Sequence, residues 1–439
     1  MLDRFATALV LSLAATVCAA AEAPPDCHVG LYRLADGRAL DVGASDPGTL
    51  RWRLPDGTTG VFALAGPQAG ASKLGWTDRL DGRRVEAGDC AGGELTFDGQ
   101  AAHRVALQAR ETRFTSDGTE LAGRLVMPPG DGPVPVVVLL QGAEHSSARA
   151  FDSLQRRLPG EGIGAFVFDK RGTGESGGTY TQDFEQLARD AVAALAQARR
   201  LGGKRVGRIG FQGPSQGGWV APIAATHAPV DFVIVCFGLA VSVLEEDRES
   251  VALDIANKGW PPAVMAKAMV LVDAVDALAL HPSPATFERF ADVRDKVRSE
   301  PWFKDVHGDF AWALLGLDRK QADDAAKTFD WHTPFLYDPL ETIDRVAAPQ
   351  LWIQARDDLE APYAETARRL ALLRMAGRPI ASAAYPHAEH GILEYETAPD
   401  GTRTDTRQPD GYLALMVDFA RGAPPRKSYG TAEIAWPSQ

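Results

Sequence analysis

The stretch Val206-Gly207-Arg208-Ile209-Gly210-Phe211-Gln212-Gly213-Pro214-Ser215-Gln216-Gly217-Gly218-Trp219-Val220 passes from an apolar, strand-like segment into a helix-like one. Its centre has the form Gly-x-Ser-x-Gly. A sharp strand-to-helix turn holds its serine in a strained backbone and brings neighbouring backbone close, which is why glycines flank it. Ser215 is therefore the candidate nucleophile, on a turn whose helix starts at Gln216 or Gly217. The competing reading is a serine that only shapes the turn.

A serine hydroxyl attacks poorly unless a base takes its proton and a third group orients that base. Later segments supply both residue types in a suitable order. Leu351-Trp352-Ile353-Gln354-Ala355-Arg356-Asp357-Asp358 reads as a strand entering a loop with two adjacent aspartates. Tyr385-Pro386-His387-Ala388-Glu389-His390-Gly391 places two histidines after a last strand at 379–385. His387 and His390 could also suggest a metal pair, but this loop offers no further ligands, and no metal site is expected. Around these segments lie near-continuous apolar runs at 136–140, 163–168, 206–211, 232–237 and 351–353. Such runs suit parallel strands covered on both faces. Helical spacing between them, at 148–158, 184–200, 217–227 and 361–376, predicts an open α/β sheet. From about 241 to 345 the alternation stops. Helices are predicted at 245–258, 263–280, 284–298 and 320–327, with Trp260, Trp302, Phe303, Phe310, Trp312 and Trp331 packing this insertion or lining a lid over a substrate pocket.

Residues from about 112 to 420 resemble the α/β-hydrolase family. The resemblance rests on Gly213-Pro214-Ser215-Gln216-Gly217, on Leu140-Gln141-Gly142-Ala143-Glu144, and on Asp169-Lys170-Arg171-Gly172-Thr173-Gly174-Glu175-Ser176. It is completed by an Asp-x-x-x-Pro acid loop and a His-Gly ending. The acid pattern selects Asp358 over Asp357, and the His-Gly pattern selects His390 over His387. Within the family, the chain is similar to secreted bacterial esterases and acyl-peptidase-like hydrolases. The resemblance implies a Ser215, Asp358 and His390 triad, with the backbone N–H groups of Ala143 and Gln216 binding an oxyanion. It implies acyl transfer on a small-molecule carboxyl ester, or on a short peptide or acyl-amino-acid amide, with no metal or organic cofactor. A non-catalytic protein binding a cell-envelope ligand is the reading from another class, and the complete triad set argues against it.

The remaining sequence adds context. The chain has 439 residues, 45% hydrophobic and 24% charged, and a formal net charge of −12. That balance disfavours a nucleic-acid partner, which needs clustered Lys and Arg. Residues 1–21 read as a secretory signal peptide, with Arg4, an apolar run, and Ala19-Ala20-Ala21 before Glu22. The run is short for a membrane span. Secretion or periplasmic export is thus expected, into a compartment where Cys27 and Cys90 could form a disulfide. Residues 22–104 alternate short β-leaning pieces with Asp-Gly turns at 36–37, 56–57, 81–82 and 98–99, predicting a small all-β module. Residues 105–439 form the hydrolase-like unit, beginning with two strands around Asp117-Gly118. The stretch 421–439 reads as an extended tail.

Overall fold

The computed structural model describes residues 26–90, 92–328 and 332–437. The leader read at 1–21 and Trp331 lie outside them. Eight strands come first: β1 (Gly30–Leu34), β2 (Ala39–Ala44), β3 (Thr49–Arg53), β4 (Thr59–Ala63), β5 (Ala71–Leu74), β6 (Leu80–Ala87), β7 (Glu94–Phe97) and β8 (Gln100–Arg104). They form a closed antiparallel barrel, in which β8 pairs back onto β1 with Tyr32 opposite Arg104. Closure leaves no open sheet edge. At the β7–β8 turn, Asp98 (φ 50°) and Gly99 (φ 74°) both adopt positive φ, as the Asp-Gly pair predicts. Asp81-Gly82 behaves differently. The chain turns before it, Leu74 N–H donating to Arg79 O at 2.9 Å, and both residues lie within β6. The β5–β6 register shifts between Ala71 and Lys73, so the positive φ of Gly82 is absorbed as an irregularity in the ladder. Tyr32, Leu40, Val42, Trp52, Phe62 and Phe97 fill the barrel. Cys27 and Cys90 are joined by a disulfide, with Cα atoms 5.6 Å apart.

The second sheet starts with β9 (Gln108–Ser116) and β10 (Thr119–Met127), joined through Asp117 (φ 45°) and Gly118 (φ 75°). Then come β11 (Val134–Leu139), β12 (Gly164–Phe168), β13 (Val206–Pro214), β14 (Phe232–Cys236), β15 (Gln350–Ala355) and β16 (Ile380–Tyr385). Strands β12, β11, β13, β14, β15 and β16 lie side by side and parallel, while β10 and β9 extend one edge antiparallel. Period-two burial explains the apolar runs: Val136 and Val138 enter one core, Val137 and Leu139 the core on the opposite face. This is an α/β-hydrolase fold.

Helices cover both faces. The predicted helix at 148–158 is two, α1 (Ala148–Phe151) and α2 (Leu154–Gly160). Asp152 is extended between them (φ −67°, ψ 115°), and its carboxylate accepts Leu154 N–H at 2.8 Å, a local bond that competes with helix continuation. Next are α3 (Phe184–Gly202) and α4 (Gly217–His227). The insertion contains α5 (Val243–Asn257), α6 (Pro262–Leu280), α7 (Pro284–Val297), α8 (Ala311–Leu315) and α9 (Arg319–Thr328). Capping boxes at Ser242/Glu245 and Ser283/Thr286 fix the starts of α5 and α7. Phe290, Trp302 and Phe310 are buried and continue the core that includes α3 and α4. After α10 (Leu340–Arg345) and α11 (Tyr363–Met375), strands β17 (Ala388–Glu389), β18 (Leu393–Thr397) and β19 (Arg403–Arg407) make a small separate sheet. Helix α12 (Tyr412–Arg421) follows, and the tail read as merely extended adds β20 (Glu433–Ala435) antiparallel to β16. No helix among the described residues is long and apolar enough to cross a membrane.

The barrel is tied to this unit at two places. Asp41, 1% exposed, pairs with Arg53 of its own barrel at 3.1 Å and with Arg156 of α2 at 2.6 Å. Barrel backbone also bonds the chain beyond β18, through Trp76 N–H to Asp405 O at 3.0 Å and Gln408 N–H to Gly57 O at 3.1 Å.

Candidate active site

Ser215 directly follows β13, with Gln216 as the N-cap of α4. Its φ of 47° is in the left-handed region that non-glycine residues rarely occupy, so the turn is strained as the motif requires. Backbone bonds hold it there: Ser215 N–H donates to Cys236 O at 3.0 Å, and Gly218 N–H donates to Ser215 O at 2.7 Å. A β-carbon on Gly213 would sit 2.1 Å from Gly217 O, so any side chain there would open the turn.

The histidine and acid arrive from neighbouring strands. Asp358 follows β15, is 1% exposed, and accepts N–H bonds from Glu360 (3.0 Å) and Ala361 (2.8 Å) on Oδ1. His390 follows β17 and brings Nδ1 to 3.1 Å from Asp358 Oδ2. Asp357 faces elsewhere, accepting Tyr395 OH at 2.7 Å, with the exposed His387 at 3.6 Å. Phe237, next to the Cys236 that anchors Ser215, packs edge-on against His390 with ring centroids 4.8 Å apart. Sequence reading passed over Glu360, although it lies in the acid loop two positions after Asp358. Its carboxylate is 3.6 Å from His390 Nε2, and among the described residues Ser215 Oγ makes no hydrogen bond. Catalytic bonds are often formed only when substrate is bound.

Burial alone would lower the pKa of His390, but the charges of Asp358, Glu360 and Asp309 outweigh burial and raise it to about 10. Neutral imidazole is the form that can accept a proton. Activity that depends on it rises with pH through this elevated value, well above the ordinary histidine range. Glu360→Gln removes one negative neighbour, so the midpoint of the kcat/KM profile moves to lower pH by about one unit. A midpoint that stays put or moves upward contradicts this coupling.

The loop after β11 approaches Ser215 from the other side: a β-carbon on Gly142 would lie 3.4 Å from Ser215 Cβ. The N–H groups of Ala143 and Gln216 find no acceptor among the described residues. Gln216 is buried, where an unpaired N–H is rare in folded proteins, and Ala143 is half-buried on the loop that approaches Ser215 from the other side. A cavity of about 310 Å³ opens beside them, lined by Leu140, Gln141, Pro214, Phe237, Gly391 and Tyr412, among others. The 140–157 segment makes most of its wall and no described residue of the insertion lines it, yet Asp309 of the insertion lies close enough to His390 for its charge to act there. Glu144 borders the cavity, while the His145 ring stacks on Tyr180 at 3.7 Å. Asp169 and Arg171 are structural, as their turn suggests: Asp169 accepts Ser147 Oγ at 2.7 Å, and Arg171 forks onto Asp190 at 2.6 and 2.8 Å.

Comparison with known proteins gives three kinds of likeness. Residues 117–367 match the X-Pro dipeptidyl-peptidase (S15) family. Esterase FrsA of Escherichia coli O81 (strain ED1a) is 30% identical over 151 residues, 34% of this chain and 36% of that protein. Esterase FrsA of Enterobacter sp. (strain 638) is 30% identical over 115 residues, 26% of this chain and 28% of that protein. The chain thus spans about a third of the length of these curated relatives. Among solved structures, the Pyrococcus furiosus esterase Pf2001 aligns with TM-score 0.41 at 15% identity, over 65% of this chain and 84% of that one. Pyrococcus horikoshii acylaminoacyl peptidase aligns with TM-score 0.39 at 16% identity, over 80% and 52% respectively.

Proposed function

The chain belongs to the X-Pro dipeptidyl-peptidase (S15) family, and we propose that it is a serine hydrolase that cleaves small carboxyl esters through an acyl-enzyme on Ser215. The observation that carries this reading is Ser215 at φ 47°, flanked by the unpaired N–H groups of Ala143 and Gln216. Strain keeps the hydroxyl at the turn's apex, and the two donors offer a place for negative charge to develop on a substrate oxygen.

In the proposed reaction His390 Nε2 leaves Glu360 and accepts the Ser215 proton as Oγ bonds to the carbonyl carbon. Asp358 holds Nδ1 and stabilises the imidazolium that results. The carbonyl π electrons move onto oxygen, facing Ala143 N–H and Gln216 N–H. Their return expels the alcohol, which takes its proton from His390. Water, deprotonated by the same imidazole, then releases the acid and restores Ser215. No step in this scheme calls on a metal or organic cofactor.

The family's name favours a second reading, the same chemistry on a peptide or acyl-amino-acid amide. Ester and amide substrates share the acyl-enzyme and differ in pocket fit and in how much the leaving group needs protonation. Steady-state kcat/KM on p-nitrophenyl esters of rising chain length, set against aminoacyl and Xaa-Pro p-nitroanilides, separates them. Preference for the esters supports the first reading, and preference for an anilide replaces it with the second. We also propose export: the leader-like residues 1–21 precede a disulfide between Cys27 and Cys90, which suits an oxidising compartment. Detection of the protein in a periplasmic or culture fraction tests this, and retention in the cytosol contradicts it.

A further inference from the structure

Lys170 is 4% exposed, an expensive place for an ammonium, and burial pulls its pKa down to about 8 against the opposing charge of Glu144. Its Nζ donates to Gly142 O at 2.5 Å and lies 4.8 Å from the centre of the Tyr180 ring. The Tyr180 hydroxyl donates to the next carbonyl, Ala143 O, at 2.6 Å. A third tie fixes the base of the same loop. Lys170 N–H donates to Gln141 Oε1 at 3.1 Å, and Gln141 Nε2 donates to Phe168 O.

Two consecutive peptide planes are therefore held by side chains. In a trans peptide the carbonyl of one residue and the N–H of the next point in opposite directions within a rigid plane. Fixing Gly142 O toward Lys170 directs Ala143 N–H away from Lys170, and Tyr180 fixes the following plane. A cation on Gly142 O also draws electron density through the amide, which makes Ala143 N–H a stronger donor. We infer that Lys170 and Tyr180 are positioning residues that aim and polarise Ala143 N–H for the oxyanion formed at Ser215. This inference rests on the proposed serine-hydrolase reading.

The test uses Lys170→Met and Tyr180→Phe in the full chain, which remove the donors while keeping most of the bulk. kcat and KM are measured on a p-nitrophenyl ester, and affinity is measured for an alkyl trifluoromethyl ketone, whose serine adduct carries an oxyanion. Lys170→Met is expected to lower kcat about 10–100-fold with KM within about twofold, and to weaken the ketone by a similar factor. Tyr180→Phe is expected to do the same about 3–10-fold. A structural role alone would lower thermal stability without this parallel loss of ketone affinity. The inference is overturned if kcat stays within about twofold in both variants, if the loss lies in KM, or if the ketone binds undiminished. Should Lys170→Met fail to fold, Tyr180→Phe decides by the same criteria. Wild-type protein that neither turns over esters nor binds the ketone overturns the Ser215 reading itself, a result distinct from active wild type with unaffected variants.

Discussion

Ser215→Ala leaves a folded protein whose kcat for ester hydrolysis is lower by about 10⁴-fold or more. The fold survives because the turn is held by backbone bonds, Ser215 N–H to Cys236 O and Gly218 N–H to Ser215 O, which alanine keeps. Alanine at φ 47° is strained no more than serine, and Oγ makes no hydrogen bond among the described residues, so little stability depends on it. The rate falls because the atom that forms the acyl bond is gone, and Asp358 and His390 have nothing to activate. Kinetics on p-nitrophenyl esters and a thermal melt check both halves. A loss below about tenfold with an unchanged melt would mean that another nucleophile does the work.

Asp358→Asn is expected to lower kcat by about 10⁴-fold, whereas Asp357→Asn stays close to wild type. The two residues are adjacent in sequence but engage different partners. Asp358 is buried and accepts two backbone N–H bonds together with His390 Nδ1, so asparagine must turn an NH₂ group toward one of these donors. The imidazole then loses both its tautomer control and the charge that supports its protonated form. Without that charge, the residual activity of Asp358→Asn follows a pH profile with its midpoint below that of wild type. Asp357 meets the Tyr395 hydroxyl and the exposed His387 and makes no contact with His390. Equal losses in the two variants would contradict this assignment.

What was legible in the sequence had a local cause. The elbow was readable because glycine at Gly213 answers a close backbone approach, and the hairpin at Asp117-Gly118 because both residues need positive φ. The parallel strands were readable because burial on both faces leaves continuous apolar runs. Other features depend on partners far apart in the chain. Closure of β1 onto β8 joins residues some seventy positions apart, and no local pattern announces it. Lys170 and Tyr180 reach carbonyls 28 and 37 residues upstream, so the turn at 169–176 gave no hint of what its lysine holds. Glu360 was visible only as one more acid in the loop, because its approach to His390 depends on how β15 and β16 align. The helix predicted at 148–158 divides because Asp152 bonds its own backbone, a choice that helical spacing does not encode.

The most direct test of the central claim is labelling of the intact protein with a fluorophosphonate probe, followed by peptide mapping of the modified residue. The account predicts one phosphonyl group per chain, on Ser215, with labelling lost in Ser215→Ala and slowed in Asp358→Asn. Folded wild-type protein that stays unlabelled, or that carries the label on a different residue, would contradict it.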